Sequence, residues 1–160
     1  MARWKLISQL RSLVFCKGKI PNAALILGLM GTLPFILLSI SAHLVNNLNL
    51  HHSILFALNT YSVIILSFLG GIYWGVIMCN SEKLYLRIRF GRHLCFSVIP
   101  SLVGWSSFLL DPMDAVDVLS VMFLIVLYSD LVLIRKELVP DWYLKLRFLL
   151  TGIVLSSLIV

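Results

Sequence analysis

Asp130 is the residue of this sequence with the clearest capacity for chemistry, because it is an acid placed inside a long apolar run. A carboxylate in such a run has to be paired, protonated or reached by water, and inside a membrane it marks a functional site by default. The positions that share its helical face offer no partner. They are all apolar: Val126, Leu127, Leu133 and Ile134.

Arg147 is the partner that the sequence favours. Asp130 lies a few residues before the end of its apolar run, and Arg147 lies about as many residues after the start of the next run, so the two are expected at the same depth. We therefore predict a structural Asp130–Arg147 ion pair, with Arg87, Arg89 and Arg92 as the other cationic choices. Two further roles for Asp130 stay open. It is either an acid that carries protons or binds substrate, or a solvated acid at the membrane surface.

A second pattern is a row of small residues, Ser67, Gly71 and Gly75, which are spaced four apart and so share one helix face. In membranes such a face lets another helix backbone approach closely. The neighbour is either a helix of the same bundle, which we favour, or a helix of another subunit, and a ligand passage beside the glycines is the third interpretation. We expect a bulky substitution to be more harmful at Gly71 than at Gly70, which is out of register.

Residues of the types that bind metals are present, but their spacing is irregular and predicts no site. They form one set toward the outer side and one toward the inner side: His43, His51, His52, Asp111, Asp114 and Asp117, and Cys16, Cys79, His93 and Cys95. No nucleophile elbow, phosphate-binding loop or dinucleotide fingerprint occurs. We therefore predict no catalytic residue, no cofactor and no bound metal.

These residues belong to a chain with the composition of a membrane protein. Of its 160 residues, 60% are apolar and 12% are charged, and the mean hydropathy is +1.00. A soluble fold of this size cannot hide so much apolar surface. A soluble enzyme, a disordered chain, a collagen and a nucleic-acid-binding domain are therefore excluded, in spite of a net charge of +6.

Five apolar runs are long enough to cross a bilayer, which takes ~20 residues in a helix. We predict spans at 22–44, 54–79, 94–110, 115–134 and 144–160. The expected fold is all-α, with residues 22–160 forming one polytopic domain, a bundle of five transmembrane helices. Asp114 is expected to cap the fourth helix, and Pro140 to be the first residue of the fifth.

The basic residues predict the orientation of these spans. All 13 fall in three segments, namely the arm before residue 22, residues 83–92 and residues 135–147. The connections after the first and third runs hold none. Because basic segments stay on the cytoplasmic side, we expect the N-terminus inside and the C-terminus outside, an alternation that also favours five spans over four or six.

The N-terminal arm, residues 1–21, is basic and free of acids. We interpret it as a short helix lying on anionic lipids of the inner leaflet, with four apolar residues facing the lipid: Trp4, Leu6, Leu10 and Leu13. The alternatives are a targeting presequence, since such segments are rich in Arg and poor in acids, or a topology signal and nothing more.

Two motifs are specific enough to suggest a family. Residues 65–75 read Ile-Leu-Ser-Phe-Leu-Gly-Gly-Ile-Tyr-Trp-Gly, and residues 140–147 contain Pro-Asp-Trp-Tyr followed by Leu-Arg. The sequence resembles an uncharacterised bacterial inner-membrane family of unknown function, similar to the mitochondrial multi-pass proteins of the transmembrane-protein-sixty-nine type. The resemblance covers roughly residues 20–160 and includes Gly28, Pro34, Pro100, Trp105 and Asp130.

This resemblance implies a five-span bundle in an inner membrane, and it brings no activity with it. The eukaryotic members are typically longer at the N-terminus. We therefore expect a bacterial inner-membrane protein, with the mitochondrial inner membrane as the alternative address.

For function, we expect a non-enzymatic structural, scaffold or assembly protein that binds other membrane subunits or a second copy of itself. The small-residue face and the scarcity of ionisable groups in the apolar runs both favour this role. The alternative is a small oligomeric transporter or channel. A lipid-modifying enzyme is a third class, for which no convincing acid–base pair is present, and a nucleic-acid partner is not expected.

Overall fold

A computed structural model of the protein describes residues 19–82 and 84–159, and for residues 84–89 it describes the backbone alone. The predicted surface helix of the N-terminal arm lies outside the described residues. Within them the predicted all-α class is confirmed, because they contain helices and no β-strand. The helices are α1 (Asn22–Leu44), α2 (Leu48–Cys79), α3 (Leu84–Ser106), α4 (Pro112–Arg135) and α5 (Asp141–Leu158), with a 3-10 turn at Ser107–Leu109.

Helix α2 begins at Leu48 rather than at residue 54. The side chain of Asn47 explains the difference, because its Oδ1 accepts hydrogen bonds from the backbone N–H groups of Asn49 (3.0 Å) and Leu50 (3.3 Å). These donors have no partner within the helix itself. The helix has 32 residues and is therefore about 48 Å long at 1.5 Å per residue. This exceeds the ~30 Å thickness of a hydrocarbon core by several turns.

Three other helix starts also differ from the predicted ones. Helix α3 begins at Leu84 rather than at residue 94, so its first turns carry the basic segment. Asp111, not Asp114, is the N-cap residue of α4, because Pro112 has the fixed φ of a first helical residue. Pro140 is the N-cap residue of α5 rather than its first helical residue.

Four helices form a ring, in which α1 contacts α2 and α5, and α4 contacts the same two helices. Helix α3 packs outside this ring, mainly against α2 and less extensively against α4. Aromatic side chains meet at the centre of the ring. Phe35 of α1 lies edge-on to Tyr61 of α2 and to Phe123 of α4, with ring centroids 4.9 and 6.0 Å apart.

Helices that follow one another run antiparallel, as their short connections require. Helices α1, α3 and α5 therefore begin at the same end of the bundle, where α2 and α4 end. We call this the basic end, because the described basic residues lie at or near it: Lys19, Arg92, Arg135, Lys136, Lys145 and Arg147.

The polar and apolar side chains are distributed as in a membrane protein. Large apolar side chains cover the outside, as Leu27, Leu33 and Leu37 do on α1. Several hydroxyl groups are buried between the helices and donate to backbone carbonyls of their own helix, as Ser62 does to Leu58 at 2.8 Å. Helices α1, α2 and α4 are each long and apolar enough to cross a membrane. The protein is therefore a membrane protein with transmembrane helices.

Within the chain, α2 is approached most closely at Gly70 rather than along the predicted face of Ser67, Gly71 and Gly75. A Cβ added at Gly70 would overlap the backbone carbonyl oxygen of Ser97 in α3. A Cβ at Gly71 or Gly75 would meet no atom within 4 Å. The reason is geometric, since α3 packs on the side of α2 that is turned by one residue, about 100°, from the predicted face.

We expect Gly70→Ala to destabilise the protein and Gly71→Ala to leave it unaffected. The methyl group at position 70 forces the backbones of α2 and α3 apart, and such overpacking typically costs ~1–3 kcal/mol. Thermal unfolding in detergent micelles measures both variants, and Gly71→Ala is the matched control on the same helix. Equal melting temperatures for the two variants would contradict the close approach of Ser97.

Candidate functional site

The charged site is built by the hairpin of α4 and α5. Helix α4 ends in a Schellman turn, in which the N–H of Leu138 donates to the Leu133 carbonyl (3.1 Å) and the N–H of Glu137 to the Ile134 carbonyl (2.8 Å). Glu137 supplies the left-handed conformation that this turn needs, with a φ of 54°. The short connection that follows places the last turns of α4 beside the first turns of α5.

Asp130 of α4 and Arg147 of α5 meet across this hairpin. The Nε of Arg147 donates to Oδ2 of Asp130 at 2.6 Å, and the two side chains are only 8% and 5% exposed. The structure thus brings together the two residues that the sequence pairs. Charges buried this deeply depend on each other, because either one alone would lack both water and a counter-charge.

Tyr143, which is not among the predicted partners of Asp130, completes the group. Its hydroxyl donates to Oδ1 of Asp130 at 3.2 Å, so each carboxylate oxygen has a donor. Arg147 binds Asp130 through Nε rather than as a two-pronged fork, and its Nη2 has no hydrogen-bond partner. The four-residue spacing of Tyr143 and Arg147 is the signal that could have identified it.

The other cations considered for Asp130 do not take this place in the described structure. Arg92 is exposed on α3, and the side chains of Arg87 and Arg89 are outside the described part. A further polar contact joins α2 to α3, where the Tyr73 hydroxyl and Nδ1 of His93 are 3.0 Å apart. Nothing in the spacing of the sequence pairs these two residues.

A cavity of about 280 Å³ lies beside the ion pair, between α1, α2 and α5. Its lining is apolar except for four side chains, those of Thr32, Tyr143, Arg147 and Thr151. The hydroxyl of Thr32 donates to the Leu29 carbonyl at 2.8 Å. The hydroxyl of Thr151 is buried and has no partner.

The remaining predicted features lie on the surface. Gly71 and Gly75 are exposed and Ser67 is half-buried, so their face of α2 is turned away from the bundle. Cys79 and Cys95 are exposed free thiols. In the part of the chain that the structure describes, no three His, Cys, Asp or Glu side chains are grouped as metal ligands.

Comparison with known proteins places this architecture in a family. The model of the family described as "Protein of unknown function (DUF3429)" matches residues 20–160. The chain belongs to the DUF3429 family. Transmembrane protein 69 of Xenopus tropicalis is 34% identical to it over 143 residues, which are 87% of this chain and 53% of that relative. The chain thus spans about half the length of the curated relative, and no solved structure matches it.

DUF3429 membership confirms the resemblance indicated by residues 65–75 and 140–147. The family is one of unknown function. It therefore assigns no role to Asp130 or to the cavity, and the function has to be argued from the geometry.

In this DUF3429 protein, we expect Asp130→Asn and Arg147→Gln each to lower stability, and the double variant to lose clearly less than the sum. Each single change leaves a buried charge unpaired, whereas the double change removes both charges. The coupling should be on the order of 1–3 kcal/mol in a thermal-unfolding series. Tyr143→Phe is the matched control, since it removes a neutral donor and should cost only ~0.5–1.5 kcal/mol. Strict additivity would contradict a structural pair.

Proposed function

We propose that this DUF3429 protein crosses a bacterial inner membrane five times, with its N-terminus inside and its C-terminus outside. The basic end of the bundle supports this orientation, because basic segments stay on the cytoplasmic side. Helices α3 and α5 are less apolar than the other three. They are supported in the bilayer by packing, α3 against α2 and α4, and α5 against α1 and α4. The mitochondrial inner membrane is the alternative address.

A C-terminal fusion tests the orientation. In a bacterial host, alkaline phosphatase fused after Val160 is expected to be active, and a fluorescent protein fused there is expected to be dark, because only the first matures outside the cytoplasm. The same two reporters at the N-terminus are the control and should give the opposite result. A bright C-terminal fluorescent fusion would mean an even number of spans.

We further propose a non-enzymatic role, in which the protein binds a helix of another membrane subunit as a structural, scaffold or assembly protein. The observation that carries this proposal is the outward face of α2, where a Cβ at Gly71 or Gly75 would meet no atom within 4 Å. Helices in lipid associate where small residues let backbones approach. The face lies on a helix that is long and apolar enough to cross the membrane, so another membrane helix is its fitting partner.

The surroundings of the buried acid support a structural role over an enzymatic one. Both oxygens of Asp130 accept hydrogen bonds, from Arg147 and from Tyr143. A general base needs an oxygen within hydrogen-bond reach of a substrate proton. Because the Asp130 side chain is only 5% exposed, its oxygens are closed to a substrate, and the residue holds α4 against α5.

Site-specific photo-crosslinking tests the proposed face. A photoreactive amino acid placed at position 75 is expected to crosslink to one membrane protein in native membranes. The ratio of that protein to this chain in the crosslinked product should be constant. The matched control is the same amino acid at Gly152, an exposed position of α5 where a Cβ also meets no atom within 4 Å. Gly71→Leu should abolish the label from position 75 without lowering the melting temperature, because its side chain projects from the bundle.

The outcome also identifies the partner. Labelling of a second copy would assign the face to a homo-oligomer, whereas one protein of a different sequence would identify a subunit. Labelling of lipid alone at position 75, or of the same proteins from positions 75 and 152, would contradict the proposal.

A small oligomeric transporter or channel is the second candidate, and the cavity beside Arg147 is the observation in its favour. A transporter has to expose such a site to both sides of the membrane in turn. Substrate-dependent flux into proteoliposomes would favour this candidate, and a stoichiometric crosslinked subunit would favour the first.

A further inference from the structure

The cavity beside Arg147 opens sideways, between α1 and α2. Its back wall is buried and includes Phe35, Leu69 and Phe123. Two other lining residues, Leu27 of α1 and Phe68 of α2, are 70% and 64% exposed, so they mark its mouth. Both belong to helices that are apolar enough to cross a membrane, and the mouth therefore faces lipid rather than water.

Two residues that line this cavity carry hydrogen-bonding groups without partners. Arg147 and Thr151 are one helical turn apart on α5, are 6% and 2% exposed, and have no partner for Nη2 and Oγ1. Buried polar groups are nearly always hydrogen-bonded, because leaving one unpaired costs free energy. Apolar pockets with a few convergent polar groups are typical of ligand sites.

The charge of the site limits the chemistry of its ligand. The guanidinium of Arg147 is already neutralised by Asp130 at 2.6 Å. A carboxylate or phosphate brought beside them would leave an excess negative charge in an apolar environment, which is unfavourable. A neutral carbonyl oxygen can accept from both Nη2 and the Thr151 hydroxyl without adding charge.

The size of the cavity limits how much of the ligand it holds. An apolar cavity of ~150 Å³ holds a benzene molecule. A volume of about 280 Å³ therefore has room for a carbonyl and the first carbons of a chain, or for one quinone-sized ring. A longer apolar tail has to leave through the mouth into the bilayer.

We propose that this cavity binds the neutral carbonyl group of a membrane lipid, with Arg147 and Thr151 as the donors and the tail passing between Leu27 and Phe68. The two donor atoms are covered by their neighbours, so binding requires both side chains to turn toward the cavity. The carbonyl belongs either to an acyl ester of a bilayer lipid or to a quinone. The site is separate from the outward face of α2 and does not depend on the role proposed for it.

Lipid titration of the purified full chain tests the proposal and distinguishes the two sources. The chain is kept in an alkyl glycoside detergent, which has no carbonyl group, and binding is followed by native mass spectrometry. The probes are a diester phospholipid, its diether analogue with the same chains and headgroup, a short-chain quinone and a free fatty acid. An acyl-ester site should bind the diester about tenfold more tightly than the diether. A quinone site should bind the quinone most tightly. It should bind the diester and the diether phospholipid more weakly, and with equal affinity.

Two pairs of variants locate the binding in this cavity. Thr151→Val should weaken carbonyl binding about fivefold and leave the melting temperature unchanged or higher, because it removes an unpaired buried hydroxyl. Thr32→Val is its control, since that hydroxyl on the same lining donates to its own helix. Gly31→Leu should fill the cavity and abolish binding, and Gly152→Leu, on the exposed side of α5, should not.

Three results would overturn the proposal. The first is equal affinity for the diester and the diether together with no binding of the quinone. The second is tighter binding of the fatty acid than of the diester or the quinone. The third is unchanged binding in Gly31→Leu. A failure here leaves the crosslink from position 75 unaffected, so the two proposals are tested separately.

Discussion

The arrangement of this bundle depends on one constraint, which is that Asp130 and Arg147 lie where neither charge is stable alone. Their pairing fixes the register of α4 against α5, because the carboxylate and the guanidinium have to reach the same depth. The Schellman turn at Glu137 supplies the reversal that this register needs. Once α5 is fixed, a neighbouring part of its surface meets α1, where a Cβ on Gly28 would lie 2.8 Å from Leu150. The ring of four helices then closes around its aromatic centre.

Much of this could be predicted, because lipid imposes simple rules. An acid in an apolar run needs a cation at equal depth, and that rule favours Arg147 as the partner of Asp130 without excluding the arginines in the first turns of α3. The start of α2 could not be predicted in this way, because a polar segment predicts a loop unless the capping by Asn47 is recognised. Gly70 and Gly71 are neighbours in the sequence, and only the position of α3 decides which of them is approached closely. The cavity and the Tyr73–His93 contact depend on three-dimensional packing that has no periodic signal.

The buried hydroxyl groups differ in whether the protein itself supplies their hydrogen-bond partners. Thr32, Ser62 and Ser129 donate to carbonyls within their own helices, so they need nothing from a ligand. The Thr151 hydroxyl and Nη2 of Arg147 differ from these groups because they have no hydrogen-bond partner, and both residues line the cavity. The mouth of that cavity is close to the outward face of α2, since Phe68 precedes Gly71 by less than one turn. A helix docked on the face would therefore border the route that a lipid tail takes.

The ion pair of the α4–α5 hairpin also affects how these two helices enter the membrane during synthesis. Helix α4 leaves the ribosome with an acid near its end, and the arginine that neutralises it follows 17 residues later. An unpaired charge disfavours release from the translocon into lipid, by ~2.5–3.5 kcal/mol at the centre of a helix and by less near its end. The two helices are therefore released most favourably as a preassembled pair, after α5 has been synthesised. A chain that ends before Arg147 would keep an unpaired acid at this point, so α4 made without α5 would be less stable in lipid than the complete hairpin.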